Sequence, residues 1–199
     1  MQLRDRVVEL LRTTPESDGD LTVSHCPEWT VRELVSHIVG VPEDILAGRM
    51  EGVTTDAWTA AQVGRHRGET LAELADAFVS LAPRFDEVLP SIPAPINSQM
   101  VMDAVTHEHD LRHAIGRPGE RDSLAVVVGA GWLRNRAEEL APGITSRPGV
   151  SDLAAFDFLR ALGGRRSPEQ MARLGIDIDR LSDLYSASPL RPPARDIDE

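Results

Sequence analysis

Three capping boxes dictate how this chain of 199 residues must be divided. Thr30-Val-Arg-Glu33, Thr70-Leu-Ala-Glu73 and Ser167-Pro-Glu-Gln170 each set a hydroxyl residue three positions before Glu or Gln. In that spacing the hydroxyl accepts from the N3 amide while the N3 side chain returns to the cap amide, so each box starts a helix. Pro168 falls at N1, where its fixed φ suits a helix start. After Thr30 the apolar residues Val31, Leu34, Val35, Ile38, Val41, Ile45 and Leu46 recur at the spacing of one helix face. Pro42 is expected to kink this helix. Leu71, Leu74, Ala75, Phe78 and Leu81 form the same stripe after Thr70. Residues 99–115 and 122–140 read as two further long helices and residues 2–12 as a weaker one, while no alternating strand pattern precedes residue 120. The prolines of Leu89-Pro-Ser-Ile-Pro-Ala-Pro95 make that stretch a linker. The expected fold is therefore mainly α: an antiparallel bundle of about four helices over residues 1–140 and a short helix-rich extension over 141–187. Pro189, Pro192 and Pro193 mark residues 188–199 as an expected disordered tail.

Composition narrows the chemistry. All 21 basic residues are Arg, which removes Schiff-base and P-loop mechanisms, since both require a lysine. The single Cys cannot pair within the chain and suits a reducing compartment. A formal charge of −11 opposes general binding to a phosphate backbone, so no nucleic-acid partner is expected. Met1–Arg12 is charged and amphipathic, unlike a signal peptide, and the uncharged run Leu124–Leu133 is about half of what a bilayer span needs. The expectation is a cytoplasmic protein without a membrane partner, with a homodimer left open.

The densest polar cluster is Asp103-Ala-Val-Thr-His107-Glu-His-Asp110-Leu-Arg-His113, inside a helical pattern. On a helical wheel Val101, Ala104, Val105, Leu111 and Ile115 form the apolar face, and Asp103, His107 and Asp110 line one margin. Asp103 and His107 are i,i+4 neighbours that can aim at one point. His37 borders the stripe of the helix after Thr30 and can face the same interior. Two His and a carboxylate from two helices would make a three-ligand metal site with an open position, the arrangement of a catalytic centre. The plainer readings stand beside it: His37 alone reads more readily as a hydrogen-bonded boundary histidine, and Asp103 with His107 equally as helix support. Asp110, one turn after His107, could orient it or simply be an exposed acid. Glu108 and Arg112 should form a partly buried ion pair, whereas His109 and His113 read as solvated. Cys26 reads as structural, with no reason for His25 to point the same way. Arg65 and Arg67, with Arg165 and Arg166, are either solvated or clamps for a carboxylate ligand. A zincin helix is excluded because Leu111 stands where its second His belongs. Val128-Gly-Ala-Gly131 lacks the third glycine and the following strand of a dinucleotide loop.

Cys26-Pro-Glu-Trp-Thr-Val-Arg-Glu-Leu-Val-Ser-His37, followed by Asp103-x-x-x-His107-Glu-His-Asp110-Leu-Arg-His-Ala-Ile-Gly116-Arg-Pro118, resembles the mycothiol-dependent maleylpyruvate isomerase family of actinobacteria. That family belongs to the DinB-like metal-binding helical bundles. The likeness covers the bundle, and Gly163-Gly-Arg-Arg-Ser-Pro-Glu-Gln170 resembles a signature of the family's C-terminal part. The resemblance implies a DinB-like four-helix bundle and a divalent metal, usually zinc. The ligands map onto His37, Asp103 and His107, with Asp103 one methylene shorter than the family's Glu. It further implies that the metal activates the thiol of mycothiol, either for cis–trans isomerisation of an unsaturated diacid or for S-transfer to a small electrophile. On this reading Asp110 supports His107, and Arg65 or Arg67 meets the anionic thiol or substrate. Two alternatives remain: a non-catalytic ligand- or partner-binding bundle with a degenerate metal site, and a metal hydrolase using bound water, for which no separate general base is placed.

Overall fold

The computed structural model describes residues 2–199. It is mainly helical, and three of its helices begin at the capping boxes read from the sequence. Among the described residues the elements are α1 (Leu3–Thr13), β1 (Thr22–Val23), β2 (Cys26–Thr30), α2 (Val31–Ala47), α3 (Asp56–Arg65), α4 (Leu71–Val88), α5 (Ile96–Ala114), α6 (Leu124–Leu140), α7 (Ala155–Arg160), α8 (Pro168–Arg173) and α9 (Ser182–Ser186). Both halves of the capping box close at Thr30, Thr70 and Ser167. No helix among the described residues is long and apolar enough to cross a membrane.

Two of these features lie outside what the periodicity indicates. β1 and β2 pair antiparallel, Thr22 opposite Thr30 and Val23 opposite Cys26, in a ribbon too short to show alternation. The α3 helix has only one buried residue, the polar Gln62, so it carries no apolar stripe to betray it.

Contacts separate the chain into two compact units, the first comprising residues 1–97 and 107–118 and the second residues 98–106 and 119–199. In the first, α1, α2, α4 and the last part of α5 share one aliphatic core. Val7 and Leu11 of α1, Leu34 and Val35 of α2, Leu74 and Phe78 of α4, and Leu111 of α5 lie within it. The expected Glu108–Arg112 pair is present, with Arg112 Nε 3.1 Å from Glu108 Oε1. Arg6 of α1 joins it, its Nε and Nη2 2.8 and 2.6 Å from the two Glu108 oxygens. A buried carboxylate with two guanidinium partners has its charge compensated and its lone pairs occupied.

In the second unit, Gly129 of α6 lets that helix approach α5, where an added Cβ would stand 3.1 Å from Met102 Cα. Arg160 at the end of α7 is fully buried; it donates to the Thr106 carbonyl at 3.1 Å and pairs with the Glu199 carboxylate, which Arg166 also reaches at 2.7 Å. Residues 188–199, expected to be disordered, form no helix or strand but are held by side chains: Glu199 as described, and Asp196 by Ser167 and Arg173. Gly164, at φ 74°, takes a left-handed conformation that glycine accommodates without strain, directly against the backbone of Arg191. Residue 140 is the last of α6, and contacts group that helix with the segments that follow it.

Candidate metal centre

Local sequence fixes the phase of α2. Thr30 Oγ1 accepts from the Glu33 amide and Glu33 Oε2 accepts from Thr30 N at 2.8 Å, so the first turn starts at one defined residue. With Val31, Leu34, Val35, Ile38 and Val39 packed in the core, His37 follows the same face inward and is only 5% exposed. The α5 helix is less conventional. Residues 105–112 are all buried, so its middle has no solvent face. This corrects the reading of His109 as solvated: His109 is 4% exposed.

His37 of α2 and His107 of α5 meet edge to face, with ring centroids 5.1 Å apart and planes at 86°. Asp103 stands one turn before His107 on the same unbroken helix. The ligand-type atoms of His37, Asp103 and His107 lie within 4.8 Å of one another. Two indoles flank the pair, Trp29 at 5.4 Å from the His37 ring and 5.8 Å from the His107 ring, and Trp58 at 6.4 Å from His37. Sequence pattern singles out neither Trp, although Trp29 lies inside the Cys26–His37 motif.

Each imidazole is held from behind. His107 Nδ1 is 3.1 Å from Asp110 Oδ2, and Asp110 is fully buried. A carboxylate can only accept, so His107 donates to it from Nδ1. His37 Nδ1 is 2.6 Å from Gln62 Oε1. Both rings are thus anchored through Nδ1. Two imidazole nitrogens and one carboxylate suit zinc or a similar divalent ion.

The Cys26 thiol lies 3.7 Å from Asp110 Oδ2, and His25 Nδ1 is 3.8 Å from Asp110 Oδ1. His25 and Cys26 therefore converge on one carboxylate, although the sequence gives no reason for them to point the same way. The antiparallel ribbon before α2 brings both side chains to α5. Cys26, His107 and Asp110 also have ligand-type atoms within 4.8 Å of one another. In that second group His107 offers the edge that already donates to Asp110, so the trio reads as support for His107 and not as a separate ligand set.

The arginine candidates behave differently from one another. Arg65 directs its guanidinium to Asp44 Oδ1 at 2.7 Å and to Glu43 at 3.4 Å. His66 is buried between Glu43 and Glu69. Arg67 is exposed in the turn after α3 and makes no ion pair among the described residues. Arg165 is buried and donates to the Gly163 carbonyl at 2.7 Å.

Comparison with curated proteins and with solved structures gave no match. A family model does match: residues 1–117 fit the mycothiol maleylpyruvate isomerase N-terminal domain, nearly the same residues that, with α5, build the first unit and its histidine pair. The chain belongs to the mycothiol maleylpyruvate isomerase N-terminal domain family.

Proposed function

We propose that His37, Asp103 and His107 hold a divalent metal, zinc being the ion that the donor set favours. We further propose that the protein uses this centre to activate a low-molecular-weight thiol of the mycothiol kind. The carrying observation is the pair of imidazoles from two helices, each backed at Nδ1 by an acceptor and set edge to face at 5.1 Å. Bound there, the metal would lower the pKa of a coordinated thiol and supply thiolate near neutral pH.

The chain's own residues do the rest. Asp110 and Gln62 fix the two ring orientations, while Trp29 and Trp58 cover the imidazoles with apolar surface and keep bulk water from the ligands. Asp103 supplies the one anionic ligand. Since the chain carries a net charge of −11, an anionic thiol or unsaturated acid needs a local cation. Arg67 is assigned that role, because it follows the helix that touches His37 and its guanidinium is not committed to an ion pair. Arg65, engaged with Glu43 and Asp44, serves the site from behind.

The reaction is S-transfer to a small electrophile or thiol-assisted cis–trans isomerisation of an unsaturated acid, in a reducing cytoplasm where Cys26 stays a thiol. Incubating metal-loaded protein with mycothiol and an electrophile such as a chlorodinitrobenzene, or with a cis-enedioate, tests the assignment. The expected result is metal-dependent thioether formation or cis-to-trans conversion that is lost in His37→Ala. Metal binding without turnover on either substrate class would instead make the domain a ligand-binding module.

A further inference from the structure

Behind His37 lies a chain of buried polar groups whose direction can be read from its far end. Asp44, on α2 two turns beyond His37, is 1% exposed. Its Oδ1 accepts from Arg49 Nε and from Arg65 Nη2, each at 2.7 Å. Its Oδ2 accepts from Gln62 Nε2 at 2.8 Å, and Gln62 on α3 has no exposed surface. The ionised carboxylate is acceptor-only, so the amide nitrogen of Gln62 must face it and the amide oxygen must face His37. That oxygen lies 2.6 Å from His37 Nδ1, which must therefore donate. Gly40 keeps the relay in place: any Cβ there would stand 2.6 Å from Gln62 Cβ, so only glycine lets α3 deliver the amide to this depth.

We infer that Asp44 and Gln62 are positioning residues that set the tautomer of His37, the two arginines fixing Asp44, Asp44 fixing the Gln62 amide, and the amide holding the His37 proton on Nδ1. The lone pair then resides on Nε2, the edge that a cation needs. The inference rests on the metal-centre reading for its purpose but not for its geometry. It assigns function to Asp44, Gln62, Arg49 and Arg65 without giving any of them contact with metal or substrate.

The consequence is counter-intuitive and specific. In Asp44→Asn the two arginines still require an oxygen, so the new amide nitrogen faces Gln62. Gln62 then turns over and presents its own NH2 to His37. Nδ1 becomes the acceptor and the proton moves to Nε2, closing the donor edge. The double variant Asp44→Asn/Gln62→Glu restores the original direction with the same total charge. In it the amide introduced at position 44 donates to the carboxylate introduced at position 62, and that carboxylate accepts from His37 Nδ1.

The test records 15N ring shifts of His37 in metal-free protein at about pH 8, where an ordinary imidazole is neutral. Zinc affinity is measured alongside by competition with a chromophoric chelator. Wild type is expected to show the Nδ1–H tautomer, Asp44→Asn the Nε2–H tautomer with zinc affinity about 10–100-fold weaker, and the double variant the wild-type tautomer with affinity within a few-fold of wild type. An Nε2–H tautomer in wild type overturns the inference and needs no variant to fold. So does an unchanged tautomer in folded Asp44→Asn, or a double variant as weak as the single one. Wild type that carries the Nδ1–H tautomer but binds no zinc would end the metal-centre reading and leave the relay standing.

Discussion

Gly40 lies in the middle of α2, where a glycine is ordinarily about 0.5–1 kcal/mol worse than alanine, so Gly40→Ala would be expected to stabilise the helix if local propensity decided. Here the added methyl meets Gln62 Cβ at 2.6 Å and Cγ at 2.7 Å, and α3 must shift. Overpacking of this kind costs about 1–3 kcal/mol, more than the propensity gain. Gly40→Ala is therefore expected to lower the urea midpoint, and a stabilised variant would show that Gln62 is not held where the relay needs it. Other residues divide by how far apart their partners lie. Glu108 and Arg112 are legible as a pair because they are four apart on one helix, but Arg6, which completes the pair, lies 102 residues from Glu108. His107 and Asp110 are legible for the same local reason. The β1–β2 pairing that carries His25 and Cys26 is local, but Asp110 lies 84 residues from Cys26, a separation that no local pattern encodes.

At the level of elements, the helices that carry an apolar stripe and a cap are readable, and α3 is not. Its sequence Asp-Ala-Trp-Thr-Ala-Ala-Gln-Val-Gly-Arg buries only Gln62, so it is recruited by polar contacts with His37 and Asp44 and leaves no hydrophobic period. The same physics hides the role of Trp58, which α3 carries beside His37. The caps make a prediction that depends on pH. The Thr70 backbone N–H and hydroxyl both donate to Glu73 and hold its carboxyl below the usual carboxylate range. A folded-state pKa below the unfolded one contributes stability that is complete above the ordinary value and lost as pH falls through the depressed one. Glu73→Gln is expected to lower stability at pH 7, and its deficit should shrink as the medium is acidified to about pH 3. Urea titrations at the two pH values measure this. An equal deficit at both would show that the charge on Glu73 contributes nothing to the cap. Arg4 holds Asp86 low in the same way, tying α1 to α4 with the same acid-side loss.

Over the whole chain, the mainly helical class and the family of the first unit follow from the same features: boxes that start helices, stripes that pack them, and the motif running from Cys26 to His37. The second unit buries an arginine, Arg160, against the Glu199 carboxylate 39 residues away, a contact that proline content alone does not reveal. The central claim is that helices α2 and α5 bring His37, Asp103 and His107 together to hold a metal. The most direct measurement is elemental analysis of protein purified without a polyhistidine tag, beside His37→Ala and His107→Ala variants that retain the wild-type circular dichroism. The expected result is one divalent ion per chain in wild type and almost none in either variant. Metal-free wild type after incubation with excess zinc, or variants that retain a full equivalent, would contradict the account.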